Sequence, residues 1–201
     1  MKKNIKCFFA LLYLIVFMTG CEALSETKSS SNDEISFSKV VCKYSSTPSY
    51  GTVTDFITLN IIVKDDNIIE VYCGDFSDKI DSETEINIDY IYGETFNISK
   101  EQKQSIITAI EENKIDKLTE CGDENSCDGS YRYISLFDSN GEEVHKCGGL
   151  NPSNEEFENV YDSILKVLPK DAIKNIYKKS EEILKKQLLE KYPDHYSWLN
   201  Q

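Results

Sequence analysis

Four side chains in the second half of the chain carry the types and spacing that could do chemistry: Cys121, Cys127, His145 and Cys147. His145 and Cys147 lie two residues apart, so on a strand both point to one face. Cys121 and Cys127 come from the loop that precedes the same stretch. Three thiolates and one imidazole would suit tetrahedral zinc, the one cofactor to weigh in a chain otherwise expected to hold none. The spacings, Cys-x5-Cys and His-x-Cys, match no familiar zinc pattern. The expected chemistry of the same sulfurs is instead at least one disulfide among Cys121, Cys127 and Cys147. Cys121 and Cys127 would close a short loop, and Cys147 is an equally natural partner for either. A nucleophilic or redox Cys–His pair is the weakest reading, because neighbours on one strand supply no third group to orient the base.

Other catalytic signatures are missing. The sequence holds no Gly-x-Ser-x-Gly, no His-Glu-x-x-His, no phosphate-cradling glycine loop and no calcium loop of the expected spacing. Only His145 and His195 are available for histidine chemistry. No residue is assigned a catalytic role, and the chain reads as non-enzymatic. Two tyrosine pairs, Tyr90 with Tyr92 and Tyr131 with Tyr133, are spaced to share strand faces. Such pairs either form a platform for sugars or peptides or pack across strands.

The elements that position these residues follow from periodicity. A strand is expected over 35–44. Val53, Ile57, Leu59, Ile61 and Val63 alternate with polar residues, Asp65-Asp66-Asn67 is a turn, and Ile68 to Cys73 returns, so 52–73 reads as a hairpin. Cys73 shares the parity of Ile69 and Val71, which predicts a buried thiol. Ile86, Ile88, Tyr90 and Tyr92 predict a fourth strand. Ser99 and Gln102 form a capping box for a helix carrying Ile106, Ile107 and Ile110. Residues 119–130 read as a loop. Tyr131–Phe137 and Glu142–Cys147 flank Asp138-Ser139-Asn140-Gly141, a strong hairpin signal. Ser153 and Glu156 predict a second capping box, opening a helix with Phe157, Val160, Tyr161, Ile164, Leu165 and Leu168 that Pro169 ends. A lysine-rich helix from about 171 to 191, with Ile173, Ile176, Tyr177, Leu184 and Leu188, closes the pattern. The expected fold is α+β: an antiparallel sheet built from hairpins, one helix inserted between strands and two C-terminal helices. The last, 170–193, would either pack on the sheet or project from it.

The N-terminus reads as an address. Lys2, Lys3 and Lys6 precede a twelve-residue apolar run, Cys7 to Met18, followed by Thr19-Gly20-Cys21. Twelve helical residues span about 18 Å, well short of a ~30 Å hydrocarbon core, so the run is a secretory signal and not a membrane span. Met18-Thr19-Gly20-Cys21 resembles the lipobox of bacterial lipoproteins, with Met18 where that family most often has Leu. The resemblance covers about a tenth of the chain. It implies cleavage between Gly20 and Cys21, acylation of Cys21, and a lipid-anchored protein on the extracytoplasmic face of the bacterial membrane. Residues 21–34 are polar and Ser-rich, a tether that spans roughly 20 Å. The domain is expected over 35–193, with 194–201 as a tail.

Export and charge narrow the function. The chain has 201 residues and a net charge of −13; without residues 1–20 it holds 19 basic against 35 acidic side chains, a net of −16. Such a domain is repelled by phosphate backbones, which excludes nucleic-acid partners. Exported cysteines usually pair as disulfides. With Cys7 removed and Cys21 acylated, Cys42, Cys73, Cys121, Cys127 and Cys147 remain, and an odd count leaves at least one thiol unpaired. Anchoring, acidity and the lack of catalytic motifs favour a tethered domain that binds an unknown protein or envelope component. The alternative is an envelope enzyme or metal/thiol protein centred on Cys121, Cys127, His145 and Cys147.

Overall fold

A computed structural model of the chain describes residues 37–46, 57–74, 89–123, 128–194 and 196. Period-two alternation sets the framework. In β1 (Lys39–Ser46), β2 (Thr58–Val63) and β3 (Ile68–Gly74), one parity places Val40, Cys42, Leu59, Ile61, Val63, Ile69, Val71 and Cys73 on a single buried face. Antiparallel pairing lines them up in rows: Cys42 stands opposite Ile61, which stands opposite Val71. The turn between β2 and β3 puts Asn67 at a φ of 60°, a conformation that asparagine adopts more readily than most residues. The buried Cys73 thiol agrees with its parity, and burial pushes its pKa up to about 11.

β4 (Tyr92–Asn97), β5 (Ser130–Phe137) and β6 (Glu143–Leu150) complete a six-stranded antiparallel sheet in the order β4-β3-β2-β1-β5-β6. Helix α1 (Lys100–Glu112) and a 3-10 turn (Ile115–Lys117) carry the chain from β4 at one edge to β5 beyond β1. Helices α2 (Glu155–Lys166) and α3 (Ala172–Lys191) follow β6. The fold is α+β, with the helix inserted between strands and the two C-terminal helices where the sequence places them. Ser99 caps α1 as expected: its hydroxyl accepts from the Gln102 backbone N–H, and the Gln102 side chain accepts from the Ser99 N–H. Ile106, Ile110, Ile115, Phe157, Val160, Ile164, Ile176, Leu184 and Leu188 join the sheet residues in one core. Each such side chain contributes about 1.5–3 kcal/mol by leaving water.

Several local expectations are corrected. The fourth strand is Tyr92–Asn97, later than the isoleucine alternation predicts; Ile86 and Ile88 lie outside the described residues, as does Val53. Tyr90 and Tyr92 do not share a face. Tyr90 precedes the strand and stacks on Tyr72, at 5.3 Å between ring centroids, while the Tyr92 hydroxyl meets Lys179 and Glu94 on the helix side. Gly93 makes this possible, because a Cβ there would meet Tyr72 at 2.5 Å and the Tyr90 hydroxyl at 2.8 Å. The cap of α2 is Asn154, not Ser153: its side chain accepts from the Phe157 N–H at 2.9 Å, the bond a serine one position earlier is out of register to make. β1 is Lys39–Ser46, ending two residues later than the expected 35–44, and β6 continues through the two glycines to Leu150. Helix α3 lies along the sheet. Ala172, Ile176, Ser180, Leu184 and Leu188, a run spaced by four, are its buried stripe, and Lys179 pairs with Glu94 of β4 at 2.9 Å. No helix among the described residues is long and apolar enough to cross a membrane.

Candidate functional site

The register divides the β5–β6 end of the sheet into two sets of side chains. On the face that the helices cover, Ile134 stands between Cys42 of β1 and Cys147 of β6. Residues 120–123 run beside β6 as a short parallel edge: Glu120 bridges Gly148, the Cys121 N–H donates to the Gly148 carbonyl at 3.1 Å, and the Asp123 N–H donates to the Leu150 carbonyl at 2.7 Å. Cys121 is thereby carried to the Cys147 side, near enough that charge on it would oppose ionisation of Cys147. Burial pushes the Cys147 thiol up to about 12, and burial likewise raises Cys121 and Cys42. At neutral pH these sulfurs are protonated thiols, the weak form for nucleophilic attack and for metal ligation.

The structure thus brings Cys121 to Cys147, one of the pairings open in the sequence, and leaves both as free thiols. Cys127, Cys21, Gly20 and His195 lie outside the described residues. His145 sits two residues from Cys147 on the same strand face, and its Nε2 is buried with no hydrogen-bond partner. No group of three His, Cys, Asp or Glu side chains able to hold a metal is found among the described residues.

The opposite face of the same strands carries a cleft of about 240 Å³, lined by Glu120, Gly122, Asp123, Tyr131, Tyr133, Gly149 and Leu150. Its wall is Tyr131 and Tyr133, which share the face opposite the helices as their spacing predicts. Their rings are 6.3 Å apart and within 7° of parallel. The Lys146 ammonium stands 4.4 Å from the Tyr133 ring centroid, and Tyr131, 38% exposed, carries the outer end of the stack. Partial burial, then the neighbouring Tyr131 and Glu120, hold the Tyr133 phenol above its ordinary pKa, so it remains a hydrogen-bond donor.

The floor is backbone, and three glycines account for it. Gly148 and Gly149 adopt φ of 130° and 151°. A Cβ on Gly148 would come within 2.1 Å of the Arg132 carbonyl oxygen, and one on Gly149 or Gly122 would strike the opposing glycine at about 3 Å. Only there can residues 120–123 lie flat against β6 and set Glu120 beside the tyrosines. Asn151 closes the end of the cleft strand: its amide oxygen accepts from the Ser130 N–H at 2.9 Å and its amide nitrogen donates to the Asp128 carbonyl at 2.8 Å.

Arg132, between the two tyrosines in sequence, points the other way. It makes a bidentate ion pair with Glu158 of α2, donates to the Pro152 carbonyl at 2.7 Å, and lies 5.3 Å from the Tyr161 ring centroid and 5.7 Å from that of Phe157. One strand therefore locks α2 on one side and builds the cleft wall on the other. Sequence reasoning found Tyr131 and Tyr133 but missed Glu120, Gly122, Asp123, Gly149 and Leu150; the glycine pair at 148–149 was the available signal. No protein-family model matches the chain, and no curated protein is similar to it in sequence.

Proposed function

We propose that the chain is a bacterial lipoprotein whose α+β domain is an extracytoplasmic binding module, using the cleft between β5, β6 and residues 120–123. In this reading Cys21 becomes the acylated N-terminus, residues 21–34 form the tether, and the membrane is a partner through the lipid alone. Two acyl chains, at about 0.8 kcal/mol per buried CH2, hold the anchor without help from charge. The observation that carries the binding reading is the parallel Tyr131–Tyr133 pair, exposed at its outer end beside a floor of glycine backbone. Rings that serve packing alone gain from being covered, whereas an exposed stack next to open backbone groups offers both apolar area and hydrogen bonds to a ligand.

The experiment is a titration of the full chain carrying 13C-labelled tyrosine with neutral oligosaccharides, basic peptides and acidic peptides. Saturable shifts confined to Tyr131 and Tyr133 with at least one of these, lost in Tyr131→Ala, are the expected result. No shift across the whole panel overturns the binding reading. A second reading, a thiol or metal protein centred on Cys121, Cys127, His145 and Cys147, draws support from the adjacency of Cys121 and Cys147.

A further inference from the structure

The cleft's chemistry narrows what it would take, given the binding reading above. We infer that it receives the ammonium or guanidinium head of a lysine or arginine side chain presented by a partner protein. Three observations converge. First, the aromatic wall already seats a cation: the chain's own Lys146 ammonium lies over Tyr133, while the outer end of the stack, at Tyr131, is exposed. An aromatic face attracts a cation through its quadrupole, and Lys146 demonstrates that this wall does so. Second, the carboxylate at the rim, Glu120, pairs with none of the described cations, and it lies near enough to Tyr133 to oppose ionisation of that phenol. A carboxylate beside an aromatic face favours a positive guest and disfavours phosphate, sulfate or carboxylate. Third, the chain outside residues 1–20 carries a net charge of −16, so its field draws cations toward the cleft before contact.

Size selects the source. A volume of about 240 Å³ is smaller than the pockets of roughly 300–1,000 Å³ that enclose whole small molecules, and it suits a single side-chain head whose backbone stays outside. The exposed Tyr131 at the mouth then covers the methylene stem of the entering side chain, as apolar surface does for lysine and arginine stems elsewhere.

The test must separate recognition from the general pull of an acidic protein on a cation. The full chain is titrated with the peptides (Lys-Gly)4, (Arg-Gly)4 and (Gln-Gly)4, and with free spermidine, reading the Tyr131 and Tyr133 resonances. The lysine and arginine peptides are expected to shift both tyrosines saturably, and the glutamine peptide to leave them unmoved. Tyr131→Leu and Glu120→Gln should each weaken binding about tenfold. Glu182→Gln on the outer surface of α3 makes the same change in net charge and should weaken it less than about twofold. The inference is overturned if Tyr131→Leu leaves affinity unchanged, or if Glu182→Gln costs as much as Glu120→Gln, which would mean unspecific attraction. Spermidine binding in place of the peptides would identify a free amine and overturn the side-chain source. A response to an uncharged oligosaccharide, with none to the basic peptides, would overturn this inference while leaving the binding module in place.

Discussion

Gly148→Ala should be among the most damaging single-methyl changes at the described glycines. Its Cβ would stand 2.1 Å from the Arg132 carbonyl oxygen and 2.8 Å from the Tyr133 Cα, both backbone atoms of the paired strand that cannot swing aside. The φ of 130° adds conformational strain of about 1–3 kcal/mol for a residue with a side chain. Forcing β5 and β6 apart adds a similar cost, so a total loss of about 3–5 kcal/mol is expected. For a domain of this size that is a fall in Tm of about 10 °C or more. Gly141→Ala is the matched control. Its φ is also positive, at 85°, but nothing lies within 4 Å of the added methyl, and about 1 kcal/mol is expected. Thermal unfolding of the two variants checks this, and equal losses would contradict the packing of β6 against β5.

Arg132→Ala is expected to cost about 2–3 kcal/mol, because it removes three things together. The ion pair with Glu158 is lost, the Pro152 carbonyl before α2 loses its donor, and the Phe157 and Tyr161 rings lose the guanidinium packed on them. The side chain of Arg132 is 19% exposed and that of Glu158 36%, so water screens part of the pair and holds the estimate below that of a fully buried one. Arg132→Lys keeps the charge but not the planar fork and should recover less than half of the loss. Arg132→Met combined with Glu158→Leu should recover most of it, since the unpaired charge disappears. Urea unfolding across this series checks the prediction; a loss in Arg132→Ala below about 0.5 kcal/mol would contradict the role of the pair in docking α2. Below its unfolding range the same variant should keep its cleft, because Arg132 and the flanking tyrosines point to opposite faces.

Much of this framework was legible in the sequence, and the reasons are local. Leu59, Ile61 and Val63 against Ile69, Val71 and Cys73 admit one hairpin register, because a slip of one residue would turn the whole set toward water. Ser99 with Gln102, and Asp138 ahead of Asn140-Gly141, are signals carried within four residues, and each forms the turn or cap expected of it. The strand through Asn97 was not foreseen because Tyr92–Asn97 contains a glycine and a glutamate that lower its apparent propensity, whereas the alternation that ends at Tyr90 and Tyr92 drew attention to earlier residues, of which Ile86 and Ile88 lie outside the described ones. Its place is fixed by pairing with β3 and by Tyr90 filling the space above Gly93, neither of which is a local property. The cleft was half legible. Tyr131 and Tyr133 announce themselves by spacing, but Glu120 reaches them only through the parallel edge of residues 120–123 on β6, a contact between segments about 28 residues apart. Cys73 was legible as a buried thiol from its parity with Ile69 and Val71, whereas the free state of Cys121 and Cys147 runs against the disulfide expected among them.

Intact-mass and N-terminal analysis of the protein from its native membrane fraction, with and without an inhibitor of the lipoprotein signal peptidase, tests the anchored-module reading most directly. The expected product starts at Cys21, carries the mass of a diacylglyceryl group on that residue, and is replaced by the uncleaved, still acylated precursor under inhibition. A mature chain that starts elsewhere, with Cys21 unmodified and no response to the inhibitor, would contradict it and leave six cysteines in a protein released from the membrane.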